Sequence, residues 1–209
     1  MLVFALIPAA IYTLSYLPYA WAEGDSSLTG LVGAMWENQR YMLSYHSGVT
    51  DTHPYSSRWY QWLFDIRPIL YYMDNSVPGY TTRFAAFVNP VVCWGGLLAV
   101  LACAAQAVRR RCAKALFIVI GYLVPWFFIG RITFAYHYFP SVLFLILALC
   151  YVFYSLSEQE ELIAWKPAMY AITAGAAALY ALFYPVLVGI QIPSWYGTCL
   201  LRWLPSWPF

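Results

Sequence analysis

Charge is what this sequence has least of. Its 11 Lys and Arg and 9 Asp and Glu make up 10% of 209 residues, against about 25% in an ordinary soluble domain. A net charge of +2 without a long basic patch excludes a nucleic-acid partner. Catalytic signatures are missing as well: no Ser-His-Asp arrangement, P-loop, HExxH or CxxC occurs, and neither does an internal repeat or a low-complexity tract. The five cysteines (93, 103, 112, 150 and 199) are an odd number without metal-ligand spacing. They exclude a disulfide framework and give no reason to expect a metal or a cofactor. Cys93, Cys103 and Cys150 lie inside apolar runs, where a thiol is a small hydrophobe.

What fills the sequence instead is apolar: 63% hydrophobic and 20% aromatic residues, with a mean hydropathy of +0.62. A soluble core cannot absorb that surplus, because its surface must still face water; lipid can. Five stretches, 1–21, 88–108, 115–130, 138–156 and 168–190, approach the ~20 residues that cross a bilayer core of about 30 Å. The first lacks the basic start and small-residue cleavage site of a secretory signal and is read as a retained span. The third carries Pro125, which a bundle accepts when neighbouring helices satisfy the freed carbonyl. Tyr16, Tyr19, Trp21, Trp94, Trp126, Tyr136 and Tyr138 crowd the span ends as an aromatic belt does. The expectation is an all-α polytopic membrane protein of about five transmembrane helices.

Arg109, Arg110, Arg111 and Lys114 occupy the turn between the second and third spans, which makes that turn cytoplasmic by the positive-inside rule. The N-terminus is then cytoplasmic. Residues 22–87 form an extracytoplasmic loop, 88–190 a four-helix membrane region, and 191–209 an extracytoplasmic tail.

The loop holds six of the nine acidic residues and two of the three histidines. Within it Leu28, Leu31, Val32, Met35, Trp36, Met42 and Leu43 fall on one stripe at helical spacing. This predicts an amphipathic interfacial helix over about 27–46, with Ser26 or Ser27 as N-cap. Gln39 and His46 interrupt the stripe. Either each sits at a helix edge with a backbone or water partner, or both point into a membrane-level cavity. Next come His53-Pro54-Tyr55-Ser56-Ser57-Arg58-Trp59-Tyr60-Gln61-Trp62 and Arg67-Pro68; Trp and Tyr beside Arg suit sugar or peptide binding and an interfacial anchor equally. The carboxylates Glu37, Asp51, Asp65 and Asp74 are scattered, and solvated surface is the expectation for each. Across 131–140, Arg131 ends one span and His137 begins the next. Arg131 either snorkels to headgroups or donates to a lipid phosphate; His137 adds a second donor or sits against a backbone carbonyl.

The order NQRYMLSYH, HPYSSRWYQW, RPILYY, NPVVCWGG, RITFAYHYFP and RWLPSWPF resembles the C-terminal membrane region of bacterial-type protein O-mannosyltransferases, from about residue 20 to 209. The resemblance implies the C-terminal part of a GT-C glycosyltransferase fold. It implies transfer of mannose, with inversion, from a polyprenyl-phosphate-mannose donor to Ser or Thr hydroxyls of an acceptor polypeptide. The extracytoplasmic face of a bacterial plasma membrane is the implied place, and no MIR-type insertion interrupts the loop. It further implies donor-phosphate roles for Arg131 and His137, and acceptor or cavity roles for His46, His53, Arg58 and Arg67. The family's catalytic acidic pair belongs to an N-terminal half, and Gly24-Asp25-Ser26-Ser27 does not match its motif. This chain alone is therefore expected to lack the general base and to work with an N-terminal half, as a fragment or a split subunit. The alternatives are another GT-C transferase using a different lipid-linked sugar, and a non-catalytic membrane scaffold.

Overall fold

The structure, a computed structural model, describes residues 2–25, 27–48, 53–129, 132–159 and 165–209. Ser26, Asp51, Arg131, Glu160 and Glu161 lie outside the described residues. The chain divides into two compact units, 1–50 and 51–209.

The first unit holds α1 (Leu2–Leu14), α2 (Leu17–Ala22) and α3 (Leu28–Gly48). The helix expected over 1–21 is thus two helices. Pro18 lacks the N–H that would bond the Leu14 carbonyl, and its ring crowds that carbonyl; the Tyr16 N–H turns instead to Thr13 O at 3.2 Å. Ser27 is the N-cap of α3, its Oγ accepting the Gly30 N–H at 3.0 Å. The Ser27 N–H in turn donates to Asp25 Oδ1 at 2.9 Å. The two bonds that Ser27 makes to this carboxylate hold its pKa below the ordinary value, and a negative charge suits a helix N-terminus. Gln39 donates to the hydroxyls of Tyr12 and Tyr16, and Asn38 donates to Tyr16 at 2.9 Å. At Gln39 the polar break in the stripe is satisfied by a tyrosine of α1 and one of the residue pair that follows it.

The second unit is built on α5 (Pro90–Arg110), α6 (Ala113–Phe127), α7 (Phe139–Ser157) and α8 (Trp165–Val188), preceded by the one-turn α4 (Trp59–Trp62). The apolar runs Pro90–Arg110, Ala135–Ser157 and Trp165–Val188 are long and apolar enough to cross a membrane; Ala113–Phe127 is a shorter apolar helix. The chain is an integral membrane protein, mostly helical as expected.

Asn89 starts α5: its side chain accepts the Val91 N–H at 3.1 Å and donates to the Ala176 carbonyl of α8 at 2.8 Å. Pro125 frees the Gly121 carbonyl four residues back, and the donor that α7 brings goes to the next carbonyl along. Ser141 Oγ of α7 donates to Tyr122 O at 3.0 Å and accepts from Trp126 Nε1 at 2.6 Å. The crossing of α5 on α7 depends on Gly96, because a Cβ there would lie 2.6 Å from Leu145 Cβ and 3.3 Å from its Cα. Leu145 is fully buried and cannot retreat without moving its helix. Gly96→Ala is expected to destabilise the chain by about 1–3 kcal/mol, read as a lower unfolding temperature in detergent; an unchanged one would contradict this close approach.

The sequence reading contained no strands, and the structure adds a small antiparallel sheet of order β1-β2-β3. Its strands are β1 (Ile69–Asp74), β2 (Tyr80–Ala86) and β3 (Gln191–Pro193). The β1–β2 hairpin turns through Asn75–Gly79, where Gly79 takes φ +80°, a conformation only glycine adopts without strain. β3 brings the 191–209 segment back onto β2, pairing Thr81 with Ile192. That segment is not a loose tail: Trp207 and Phe209 are buried against Phe87 and Phe183. Arg83 of β2 donates to the Pro208 carbonyl.

Candidate functional site

The second unit carries a cleft of about 630 Å³ lined by Ser56, Ser57, Arg58, Trp59, Tyr60, Gln61, Arg67, Ile129, Ile132 and Thr133. That volume is in the range of small-molecule sites. Two guanidinium groups, three hydroxyl-bearing Ser and Thr residues and one amide line it, with no Asp or Glu among them. Its chemistry is that of an anion site, since arginine's planar fork pairs two parallel N–H donors with phosphate or carboxylate oxygens.

Two distant pieces of chain form the walls and are locked together. The Ser57 N–H donates to Thr133 O at 2.9 Å, and Thr133 Oγ1 donates back to Ser57 O at 2.5 Å. Trp62 Nε1 reaches Ser57 Oγ at 2.7 Å. All three residues are buried, so these bonds are shielded from water and fix the wall geometry. Arg58 stands just before α4, where its N–H donates to Gln61 Oε1 at 2.8 Å. Arg67 Nη2 donates to Pro54 O at 2.6 Å; that single bond anchors the guanidinium, whose remaining N–H groups belong to an exposed residue.

Of the residues named from the sequence, Arg58 and Arg67 share this cleft. His53 and His137 do not line it but meet at Phe134, one residue beyond Thr133. The His53 ring stands edge-on to Phe134 at 5.2 Å. His137 stacks on Tyr136 at 4.4 Å, and its Nδ1 accepts the Phe134 N–H at 3.1 Å. The same Nδ1 also lies 3.2 Å from the Phe134 carbonyl, to which it donates in the other tautomer. Arg131 lies outside the described residues. His46 belongs to the first unit, in the last turn of α3 beside Tyr45. Sequence reasoning did not single out Thr133 or Ser57 as the lock, because the two are 76 positions apart.

Asp65 corrects the expectation of a solvated carboxylate. It is 4% exposed, its Oδ2 has no hydrogen-bond partner, and its φ is +52°, in the left-handed region. The chain leaving α4 is pinned carbonyl by carbonyl. Cys93 Sγ donates to Trp62 O and Leu63 O, and Trp94 to Phe64 O. Trp207 Nε1 donates to Asp65 O at 2.7 Å and Ser206 to Ile66 O. This dense satisfaction of backbone groups draws the Asp65 side chain inside with them. Burial pushes its carboxyl up to about 8, against a pull downward from the Val88 N–H.

Comparisons with known proteins agree with this architecture. A family model described as the C-terminal four TMM region of protein-O-mannosyltransferase matches residues 31–207. A polyprenol-phosphate-mannose--protein mannosyltransferase of Mycolicibacterium smegmatis is 27% identical, the alignment covering 98% of this chain and 46% of the relative. Its counterpart in Mycobacterium tuberculosis is 28% identical over 97% of this chain and 45% of that protein. The chain thus spans just under half the length of these relatives. Among solved structures, the S. cerevisiae protein O-mannosyltransferase Pmt1-Pmt2 complex bound to the sugar donor is similar in fold. Its TM-score is 0.64 at 17% identity, covering 88% of this chain and 27% of that one.

Proposed function

This chain belongs to the protein O-mannosyltransferase family, and from that premise we propose that it is the C-terminal membrane portion of a polyprenyl-phosphate-mannose--protein O-mannosyltransferase. The observation that carries the reading is the cationic cleft: Arg58 and Arg67 with Ser56, Ser57, Gln61 and Thr133, and no carboxylate among the described lining residues. In the reaction an acceptor Ser or Thr oxygen bonds to the mannose anomeric carbon while the bond from that carbon to the phosphate oxygen breaks. The hydroxyl proton passes to a carboxylate base, and the lipid phosphate departs with a second negative charge. Donors aimed at that charge lower the barrier. Arg58 and Arg67 are assigned to that charge here, in place of the acceptor or cavity roles the resemblance implied, because both line this cleft; Arg131 and His137 keep the donor-phosphate roles that the resemblance implied. His53 and His46 keep the acceptor or cavity roles that the resemblance implied.

The base is assigned to an N-terminal half of the enzyme, since no Asp or Glu is among the described residues that line the cleft. Five spans, an N-terminus in the cytoplasm, a C-terminus outside and a bacterial plasma membrane complete the proposal. The basic turn at 109–114 supports that orientation.

Transfer of labelled mannose from polyprenyl-phosphate-mannose to a Ser/Thr peptide tests it, in membranes holding this chain alone or with the N-terminal half of a relative. Transfer is expected only when both are present. Transfer by the chain alone would make one of its own carboxylates the base. With both halves folded and no transfer in either membrane, the scaffold reading would replace this one.

A further inference from the structure

The opposite end of the helix bundle carries a second assembly of chemistry that mannosyl transfer does not use. Short connections make α5, α6 and α7 run alternately up and down, so the end of α5, the start of α6 and the end of α7 lie together. A groove of about 610 Å³ runs between α6 and α7; its walls include Phe117, Ile118, Leu147, Tyr151 and Tyr154, with Lys114 as the one charged lining residue. The walls face outward: Phe117 is 64% and Leu147 47% exposed. At the same end a smaller depression of about 180 Å³ is lined by Arg109, Arg110, Gln106 and Gln159. Cys112 of the basic turn ties that turn to the groove, its Sγ 3.0 Å from the Tyr151 hydroxyl of the groove wall. An apolar groove with Lys114 on its wall and a depression lined by Arg109 and Arg110 thus share this end of the bundle. Glu158 is the carboxylate at this end among the described residues; it lines neither depression.

Arg111 adds an independent sign. It ends α5 at φ +49°, a left-handed conformation where glycine is the usual residue and any other side chain is strained. Helix termination alone does not call for an arginine there, and a residue held in strain points to a role for its side chain.

We infer that this end of the bundle binds an anionic glycerophospholipid, its headgroup phosphate held by Arg109, Arg110, Arg111 and Lys114 and one acyl chain laid in the α6–α7 groove. Charge complementarity selects this occupant. A basic cluster at a membrane surface attracts anionic headgroups, and basic pockets between transmembrane helices bind phosphate-bearing ones. A zwitterionic lipid fills the groove equally well but brings no net negative charge to the four cations.

The test uses the purified full chain in detergent, titrated with phosphatidylglycerol or phosphatidylcholine of identical acyl chains and read by native mass spectrometry and by unfolding temperature. Phosphatidylglycerol is expected to bind at least tenfold tighter. Arg109→Gln with Arg110→Gln is expected to lower its affinity about fivefold per charge removed, while the paired Arg→Lys variants hold it. Leu147→Trp, which fills the groove, is expected to weaken both lipids. Arg111→Gly relieves the strain, so the lipid-free unfolding temperature is expected to hold or rise while phosphatidylglycerol affinity falls. Equal binding of the two lipids, wild-type affinity in the glutamine or glycine variants, or full competition by inorganic phosphate would overturn the proposal.

Discussion

Replacing Arg58 and Arg67 together with alanine is expected to reduce mannosyl transfer by about 10²–10³-fold, the loss typical of removing donors aimed at developing negative charge. Both line one cleft with no carboxylate beside them, so neither charge is neutralised there by a described protein partner. The phosphate gains charge only as the anomeric bond breaks. Donors placed for that moment act on kcat as well as on donor KM, whereas acceptor KM is expected to stay near its wild-type value. The single variants separate two contributions. Arg67 also donates to Pro54 O, so Arg67→Lys keeps one anchoring donor and loses the planar fork. Arg58 makes its described cap bond through its backbone N–H, and Arg58→Lys changes the cleft alone. A double alanine variant with wild-type transfer, or with a raised acceptor KM alone, would move these arginines off the phosphate.

The second large effect concerns stability and pH. In the unfolded chain the Asp65 carboxyl titrates near 3.8, and in the fold burial raises it to about 8. Between those values the folded state holds a proton that the unfolded state has released, so stability falls as pH rises from about 4 and flattens above about 8. Across the window this amounts to a limit on the order of 5 kcal/mol. Asp65→Asn removes the titration while preserving size and one acceptor for the Val88 N–H. Its unfolding temperature is expected to match wild type near pH 4 and exceed it increasingly up to pH 8, with a flatter profile throughout. Parallel pH profiles for the two proteins would contradict the burial of this carboxyl.

The helices were legible in the sequence because lipid imposes one simple rule, a long apolar run. Residues 90–110, 113–127, 139–157 and 165–188 follow it, as does the amphipathic period of α3 with Ser27 at its start. The break after Leu14 was written in Pro18, but a run read for hydropathy alone passes over it. The sheet was hidden differently. Ile69–Asp74 and Tyr80–Ala86 are rich in β-branched and aromatic residues around an Asn75–Gly79 turn, a hairpin signal, yet in a chain 20% aromatic such composition stands out little.

The site was legible only in part. Arg58 and Arg67 were marked by their motifs, and the fold places them in one cleft. The lock that shapes it, Ser57 to Thr133, is a long-range contact that local patterns do not carry. Asp65 was missed for the same reason. A lone carboxylate between Phe64 and Ile66 reads as solvated loop, and the contact that pins its backbone comes from Trp207, 142 positions later.

We place the donor phosphate in the cleft lined by residues 56–61, Arg67, Ile129, Ile132 and Thr133. Photo-crosslinking tests it most directly, with a polyprenyl-phosphate-mannose analogue reactive beside its phosphate, applied to membranes holding this chain and an N-terminal half and followed by peptide mapping. Label on residues 56–61 or 129–133, abolished by excess unlabelled donor, is the expected result. Label that concentrates elsewhere under the same competition, with the cleft residues unmodified, would contradict it.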